Sequence, residues 1–158
     1  MTAGNGSAIT FRPEHMSGLE HLEAIRDGKL PPPPIAELLG FDLVELGSGR
    51  ATFSVLPGPQ HYNPIGAVHG GLAATLLDSA MGCAVQTTLE AGVGYTTLDL
   101  NATFVRRITA GTGRVLCEAT VVHAGSRIAT AEGRVFALRT GKLLAHGTCT
   151  CVILDGRT

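Results

Sequence analysis

The sequence predicts an α+β protein in which a curved antiparallel sheet wraps around one long central helix, with a short N-terminal helical extension. Three features predict it. From residue 64 to residue 89 the chain carries one formal charge among apolar and small residues, as in a helix covered on nearly all sides. From Phe41 onward apolar residues recur with period two, the mark of strands. Beyond Gly92-Val-Gly94 nearly everything reads as long strands separated by short glycine-containing turns, too close together for the crossovers that parallel pairing requires. A helix with no wet side cannot rest on a flat, half-solvated sheet, so the strands must curl around it.

Taken in order, residues 1–15 are polar and aperiodic and are expected to be disordered. Ser17-Gly-Leu-Glu20 has the form of a capping box, in which each side chain satisfies the other residue's backbone amide. Leu19, Leu22 and Ile25 follow at helical spacing, and Asp27-Gly28 ends that amphipathic helix. Pro31–Pro34 lack backbone donors and form a stiff spacer before a second short helix at about 35–39. The chain thus divides into 1–34 (disordered start, short helix, proline spacer) and a main domain, 35–158. Strands are expected at 42–46 and 50–56 around Gly47-Ser48-Gly49, with Ala51, Phe53 and Val55 on one face. Residues 57–68 contain Pro57, Pro59 and Pro64 and read as an irregular loop. The long helix covers about 70–89. Strands at about 95–107, 113–124, 127–139 and 142–153 complete the domain as a four-stranded antiparallel meander.

Composition narrows the function. The chain has 158 residues, room for one domain with a sizeable core. It is 44% hydrophobic and 16% charged, where about a quarter charged is usual, which suggests apolar area hidden against another subunit. A net charge of −1 argues against nucleic acid as a partner. Residues 64–89 exceed the ~20 residues of a membrane span. Pro64, three glycines before Leu72 and a central Asp78, costing roughly 2.5–3.5 kcal/mol in an isolated span, argue for a buried helix and no membrane. The four cysteines, Cys83, Cys117, Cys149 and Cys151, match neither zinc nor redox CxxC spacing, so no metal is expected. They read as small core residues in a reducing compartment, with Cys149 and Cys151 on one strand face. The N-terminus has Thr, Gly, Asn and Ser where a signal peptide has an apolar core, and a cytoplasmic location is expected.

Between Arg50 and Glu90 the sole formal charge is Asp78, in the middle of the most apolar helix. An ionised carboxylate buried there requires donors; the alternative is that it faces water on the outer side. Thr75, Ser79 and Gln86 are the other polar groups nearby, too few to define a solvated face. His69-Gly70-Gly71 marks the helix start, whose first amides lack internal partners and carry the positive end of the dipole. Glycines there admit a ligand carbonyl to the backbone, and such donors would stabilise a developing oxyanion. Glycines also begin helices for steric reasons alone. Asp78 follows Gly70 by eight residues, about 12 Å along a helix axis. One carbonyl cannot touch both groups in one subunit, so if they cooperate the acid comes from a neighbouring copy.

The run Asn63-x-x-Gly66-x-x-His69-Gly70-Gly71, with an acid nine residues after the histidine, resembles the hot-dog thioesterases of the phenylacetate-pathway and 4-hydroxybenzoyl-coenzyme A type. Tyr95-Thr-Thr-Leu-Asp-Leu-Asn-Ala-Thr-Phe-Val-Arg106 resembles that family's third strand, Val121 to Arg127 its fourth hairpin and Gly141-Lys-Leu-Leu-Ala145 its last turn. The likeness covers about residues 31–154. It implies an acyl-CoA thioesterase in which the Gly70 or Gly71 amide polarises the thioester carbonyl. Asp78 of a partner subunit then attacks or activates water, and Asn63 positions the water or the carbonyl. One carboxylate and an oxyanion hole suit a thioester, because thiolate leaves with little acid assistance.

The resemblance also points to Arg106, Ser126 and Arg127 as anchors for coenzyme A, with no cofactor beyond coenzyme A as part of the substrate. It implies self-association as a homodimer or a dimer of dimers. His69 either shapes the helix start or contacts substrate; His61 reads as loop-structural. Two residues depart from the family pattern. Arg107 stands where many relatives have proline, and Gly82 where some carry a hydroxyl residue that Ser79 or Thr75 would have to replace. The competing function is a non-catalytic acyl-CoA-binding sensor or scaffold. A hot-dog dehydratase would favour a His–Asp pair on one segment, and Asp78 has no histidine on its own helix turn.

Overall fold

The computed structural model describes residues 15–155. The disordered start expected for 1–15 therefore falls, but for His15, outside the described residues. Three α-helices and six strands follow in order, with single 3-10 turns at Pro59–His61 and Ala110–Thr112: α1 Gly18–Arg26, α2 Pro34–Leu39, β1 Phe41–Gly47, β2 Arg50–Val55, α3 Gly70–Gln86, β3 Val93–Phe104, β4 Val115–Ala124, β5 Ile128–Ala137 and β6 Leu143–Asp155. The sheet is antiparallel throughout, in the order β1-β2-β4-β5-β6-β3. The fold class is as the sequence predicts. The meander is shorter than expected: β4, β5 and β6 are successive neighbours, but β3 pairs with β6 and leaves β4. Tight turns join β4 to β5 and β5 to β6, whereas residues 105–114 form no hairpin turn and are long enough to cross between strands.

α3 packs against β2, β3, β4, β5 and β6, and its Leu76, Leu77, Met81 and Val85 are fully buried. The strands meet it with small residues. In β5, Ala129, Ala131, Gly133, Val135 and Ala137 alternate inward while Glu132 and Arg134 stay exposed, so the helix sits close over the pleat. The half of α3 turned away from the sheet carries Thr75, Asp78, Ser79, Cys83 and Gln86, all partly buried.

The N-terminal extension closes part of that half. Its capping box forms as expected: Glu20 N–H donates to Ser17 Oγ at 3.3 Å and Ser17 N–H to Glu20 Oε2 at 2.8 Å. Gly18 N–H then donates to the Leu89 carbonyl at 2.9 Å, and His21 Nδ1 lies 2.9 Å from Gln86 Nε2. A side chain at position 18 would strike the Gln86 carbonyl, so the contact demands glycine. Among the described residues no helix is long and apolar enough to cross a membrane. All four cysteines are free thiols.

β3 lies at one end of the sheet and its outer edge is unpaired. Its register slips between Thr97 and Asp99, leaving Leu98 as a bulge. Tyr95 and Thr97 face α3 before the bulge; Ala102 and Phe104 do so after it. Leu98 and Phe104 are more than half exposed.

Candidate active site

The start of α3 is delivered by a loop held at many points. His61 is buried; its Nδ1 accepts from Gly58 N–H at 3.0 Å and its Nε2 lies 3.0 Å from the Leu39 carbonyl, which defines the neutral ring with the proton on Nε2. This is the loop-structural role expected of it. Asn63 Oδ1 accepts from Ile65 N–H at 3.2 Å and Ala67 N–H at 3.1 Å, an arrangement that ties a turn. That turn requires Gly66, whose φ of 75° lies in the left-handed region. The carbonyl end of Asn63 is thus engaged within the turn. Arg107 clamps the same turn, its Nη2 donating to the Gly66 carbonyl and, at 3.4 Å, to that of Ile65. The departure at position 107 is accordingly a loop clamp.

His69 is the N-cap of α3, and its Nδ1 accepts from Gly71 N–H at 2.8 Å. That bond shapes the helix start, one of the two roles open to it. One consequence follows for the two candidate donors. The Gly71 amide is occupied by the His69 ring, while Gly70 N–H has no acceptor among the described residues. Phe104 packs over Gly70, 3.3 Å from where a Cβ would stand. A cavity of about 240 Å³ opens beside it, lined by His69, Gly70, Phe104, Arg106 and Arg107 among others. Arg106 Nη1 donates to the Leu143 carbonyl at 2.7 Å, which fixes the guanidinium at this rim.

Asp78 occupies the middle of α3, partly buried, and accepts a hydrogen bond from Thr97 Oγ1 at 2.9 Å. The donor that a semi-buried carboxylate needs therefore comes from β3, a partner the sequence reading missed. The signal was weak: alternation places Thr97 with Tyr95, but the bulge at Leu98 hides which set faces inward. Tyr95 stands beside the acid as well. Its Oη would lie 2.6 Å from a Cβ at position 82, so its ring fills the space that Gly82 vacates. Burial, with nearby Cys83, Cys151 and Asp78, pushes the Tyr95 phenol well up, which keeps it a neutral hydroxyl. The hydroxyl over Gly82 is hence Tyr95's; Thr75, one substitute envisaged, instead donates to the Gly71 carbonyl at 2.8 Å. Burial, then the Asp78 charge, pushes the Cys83 thiol up to about 12, so Cys83 is an inert neutral group.

The predicted residues fall in three places. Asn63, His69, Gly70, Gly71 and Arg106 gather at the tip of α3. Asp78 lies down the same unbroken helix, about 12 Å away along its axis. Ser126 and Arg127 are exposed in the β4–β5 turn, beside the end of the sheet where Thr96 pairs with Val152. Phe104 marks the opposite end, eight residues and about 26 Å along β3. Among the described residues no three potential metal ligands converge.

A long helix held in the palm of an antiparallel sheet, tipped by an open amide and carrying an acid at mid-length, is the hot-dog fold of thioester-handling proteins. Residues 65–144 match the model of the thioesterase superfamily, and the chain belongs to that family. It is 35% identical over 91 residues to acyl-coenzyme A thioesterase 13 of Mus musculus, covering 58% of this chain and 64% of that protein. Among solved structures, the conserved protein PA5202 from Pseudomonas aeruginosa superposes with a TM-score of 0.72 at 32% identity, covering 78% of this chain and 95% of that one. The E. coli PaaI protein from the phenylacetic acid degradation operon superposes at 0.73, covering 85% and 94%; at 20% identity it speaks for the fold alone.

Proposed function

We propose that the protein is an acyl-CoA thioesterase that works as a homodimer or a dimer of dimers, releasing free acid and coenzyme A without a further cofactor. One observation carries the reading. The acceptor-free Gly70 amide and the Thr97-bound Asp78 sit on one rigid helix, too far apart to act on one carbonyl, and both adjoin the open edge of β3.

An unpaired twelve-residue edge strand with exposed Leu98, Leu100 and Phe104 invites a second copy. Antiparallel pairing of β3 with itself about a two-fold axis exchanges the ends of the strand. The Phe104 end, which holds Gly70, then faces the Thr97 end of the other copy, which holds Asp78 of the partner subunit. The same exchange carries Ser126 of the partner subunit and Arg127 of the partner subunit towards Arg106, so one coenzyme A would meet cations from both chains. Low overall charge agrees with such a covered face.

In this assembly the thioester oxygen accepts from Gly70 N–H, whose donation strengthens as the oxygen becomes anionic. Asp78 of the partner subunit either removes a proton from water, whose oxygen adds to the carbonyl carbon, or adds directly to form an anhydride that water opens. The tetrahedral adduct collapses by breaking the C–S bond, and the thiolate takes up the proton. Thr97 aims the carboxylate, and the Asn63 NH2 directs the water or the carbonyl. In this reading the catalytic domain is 35–158, with 1–34 as an extension, and the free thiols fit a cytoplasmic setting.

Free-thiol release from a panel of acyl-CoAs tests the proposal. Asp78→Asn keeps shape and removes charge, and kcat is expected to fall by ~10²-fold or more. Hydrolysis at the native rate in that variant would overturn the mechanism. Tight acyl-CoA binding with no release by the native protein would make it a binding protein instead.

A further inference from the structure

Another cavity lies away from the tip of α3. It encloses about 710 Å³ between the N-terminal extension and the sheet. Leu22 and Ile25 of α1, Ala36 of α2, Phe41 and Phe53 of the strands, and Cys83 of α3 line it. Its size falls within the ~300–1,000 Å³ of ordinary small-molecule pockets. The lining is apolar, and Phe41 and Phe53 meet edge to face at 5.7 Å, so its floor is stiff. At the rim stand Arg26 and Lys29, and Asp27 holds both, at 2.9 and 3.4 Å. Asp42 adds a second carboxylate to the rim, so two acids balance two cations there without a net positive charge, and the apolar lining fits a neutral occupant.

Position along α3 identifies that occupant. Cys83 follows Asp78 by five residues, about 7.5 Å further down the helix and away from its tip. At 3.6 residues per turn their side chains point about 140° apart, so they border the partly buried stretch of α3 that carries Ser79 and Gln86, and the Cys83 thiol senses the Asp78 charge. A thioester whose carbonyl meets Asp78 has its coenzyme A on the side of the partner's helix tip. Its acyl chain must continue the other way, along the open half of α3 and beneath α1.

We propose that the cavity under residues 22–36 is the acyl site, and that the N-terminal extension sets the length and bulk of the acyl group, selecting uncharged aliphatic or aromatic chains. This rests on the thioesterase reading for its direction along α3. Pro31–Pro33 hold the wall: a segment with no backbone donors and fixed φ keeps its shape over an apolar cavity without leaving amides unsatisfied.

S-alkyl-CoA thioethers, which cannot be hydrolysed, test the cavity separately from catalysis. Calorimetric titration of the full-length protein with methyl to dodecyl thioethers should show Kd falling about fourfold per added methylene until the cavity is full. Ile25→Trp narrows the cavity from α1, and Leu30→Trp does so from the adjoining wall. Either variant should lower the ratio of dodecyl to methyl affinity by at least tenfold and move the plateau to shorter chains. Circular dichroism identifies a variant that has not folded, and the other then decides. Affinity independent of chain length in the native protein, or the native length dependence retained in the folded variants, would overturn the proposal. Length-dependent binding without thiol release would instead preserve the acyl site and remove the hydrolytic function.

Discussion

Thr97 shows how much of the site depends on a single hydroxyl. A neutral donor to a carboxylate contributes about 1.5–3 kcal/mol when both are shielded from water, and here it also fixes which way the carboxylate points. Thr97→Val should lower kcat roughly tenfold or more with little change in KM, and Thr97→Ser, which keeps the hydroxyl, should recover most of the loss. An equal loss in both variants would mean that the methyl group, not the hydrogen bond, matters. Gly82 and Tyr95 form a second dependent pair. In Gly82→Ala the new Cβ would stand 2.6 Å from Tyr95 Oη and 3.0 Å from its Cε2. The expected cost is about 1–3 kcal/mol, the range for overfilling a packed site, read as a lower urea midpoint. Adding Tyr95→Phe, which removes the one contact below 3.0 Å, should recover part of the loss, and Tyr95→Leu should recover more.

Among the elements, α1 depends on the absence of a side chain at its first residue. Gly18 donates to the Leu89 carbonyl, and any Cβ there would overlap the Gln86 carbonyl. Gly18→Val should therefore detach α1 from the end of α3 while the sheet and its core remain. Limited proteolysis is expected to cut within residues 18–33 at least tenfold faster than in the native protein, with an unchanged far-UV signature for the strands. Equal cleavage rates would show that the contact with β1 alone holds α1. Within one copy, tip and acid belong to one continuous α3, so the spacing of the two proposed half-sites is set by helix rise.

For the whole molecule, the central expectation concerns assembly. The unpaired edge of β3 carries Leu98 at 65% exposure and Phe104 at 55%, and in the proposed assembly burial of that edge would complete both half-sites at once. Leu98→Asp buries an unpaired charge in the proposed seam, so sedimentation should show monomers at concentrations where the native chain is dimeric. Specific activity should then fall with the dimer fraction and recover as protein concentration rises, by mass action. A fully active monomer at high dilution would separate catalysis from assembly.

Read alone, the sequence determined the helix–strand order, the capping box at Ser17–Glu20, the window from Asn63 to Gly71 and the singular position of Asp78. These are local matters of periodicity, glycine placement and spacing along one helix, and short-range physics decides them. Tertiary structure alone decided that β3 leaves its chain neighbour β4 for β6, because a ten-residue connection allows either path. It alone brought Thr97 to Asp78 and Tyr95 over Gly82, since a one-residue bulge reverses which side chains of a strand face inward. And it alone showed that His69 consumes the Gly71 amide, leaving Gly70 as the open donor, because hydrogen-bond partners are assigned by three-dimensional geometry and residue type only restricts the choice.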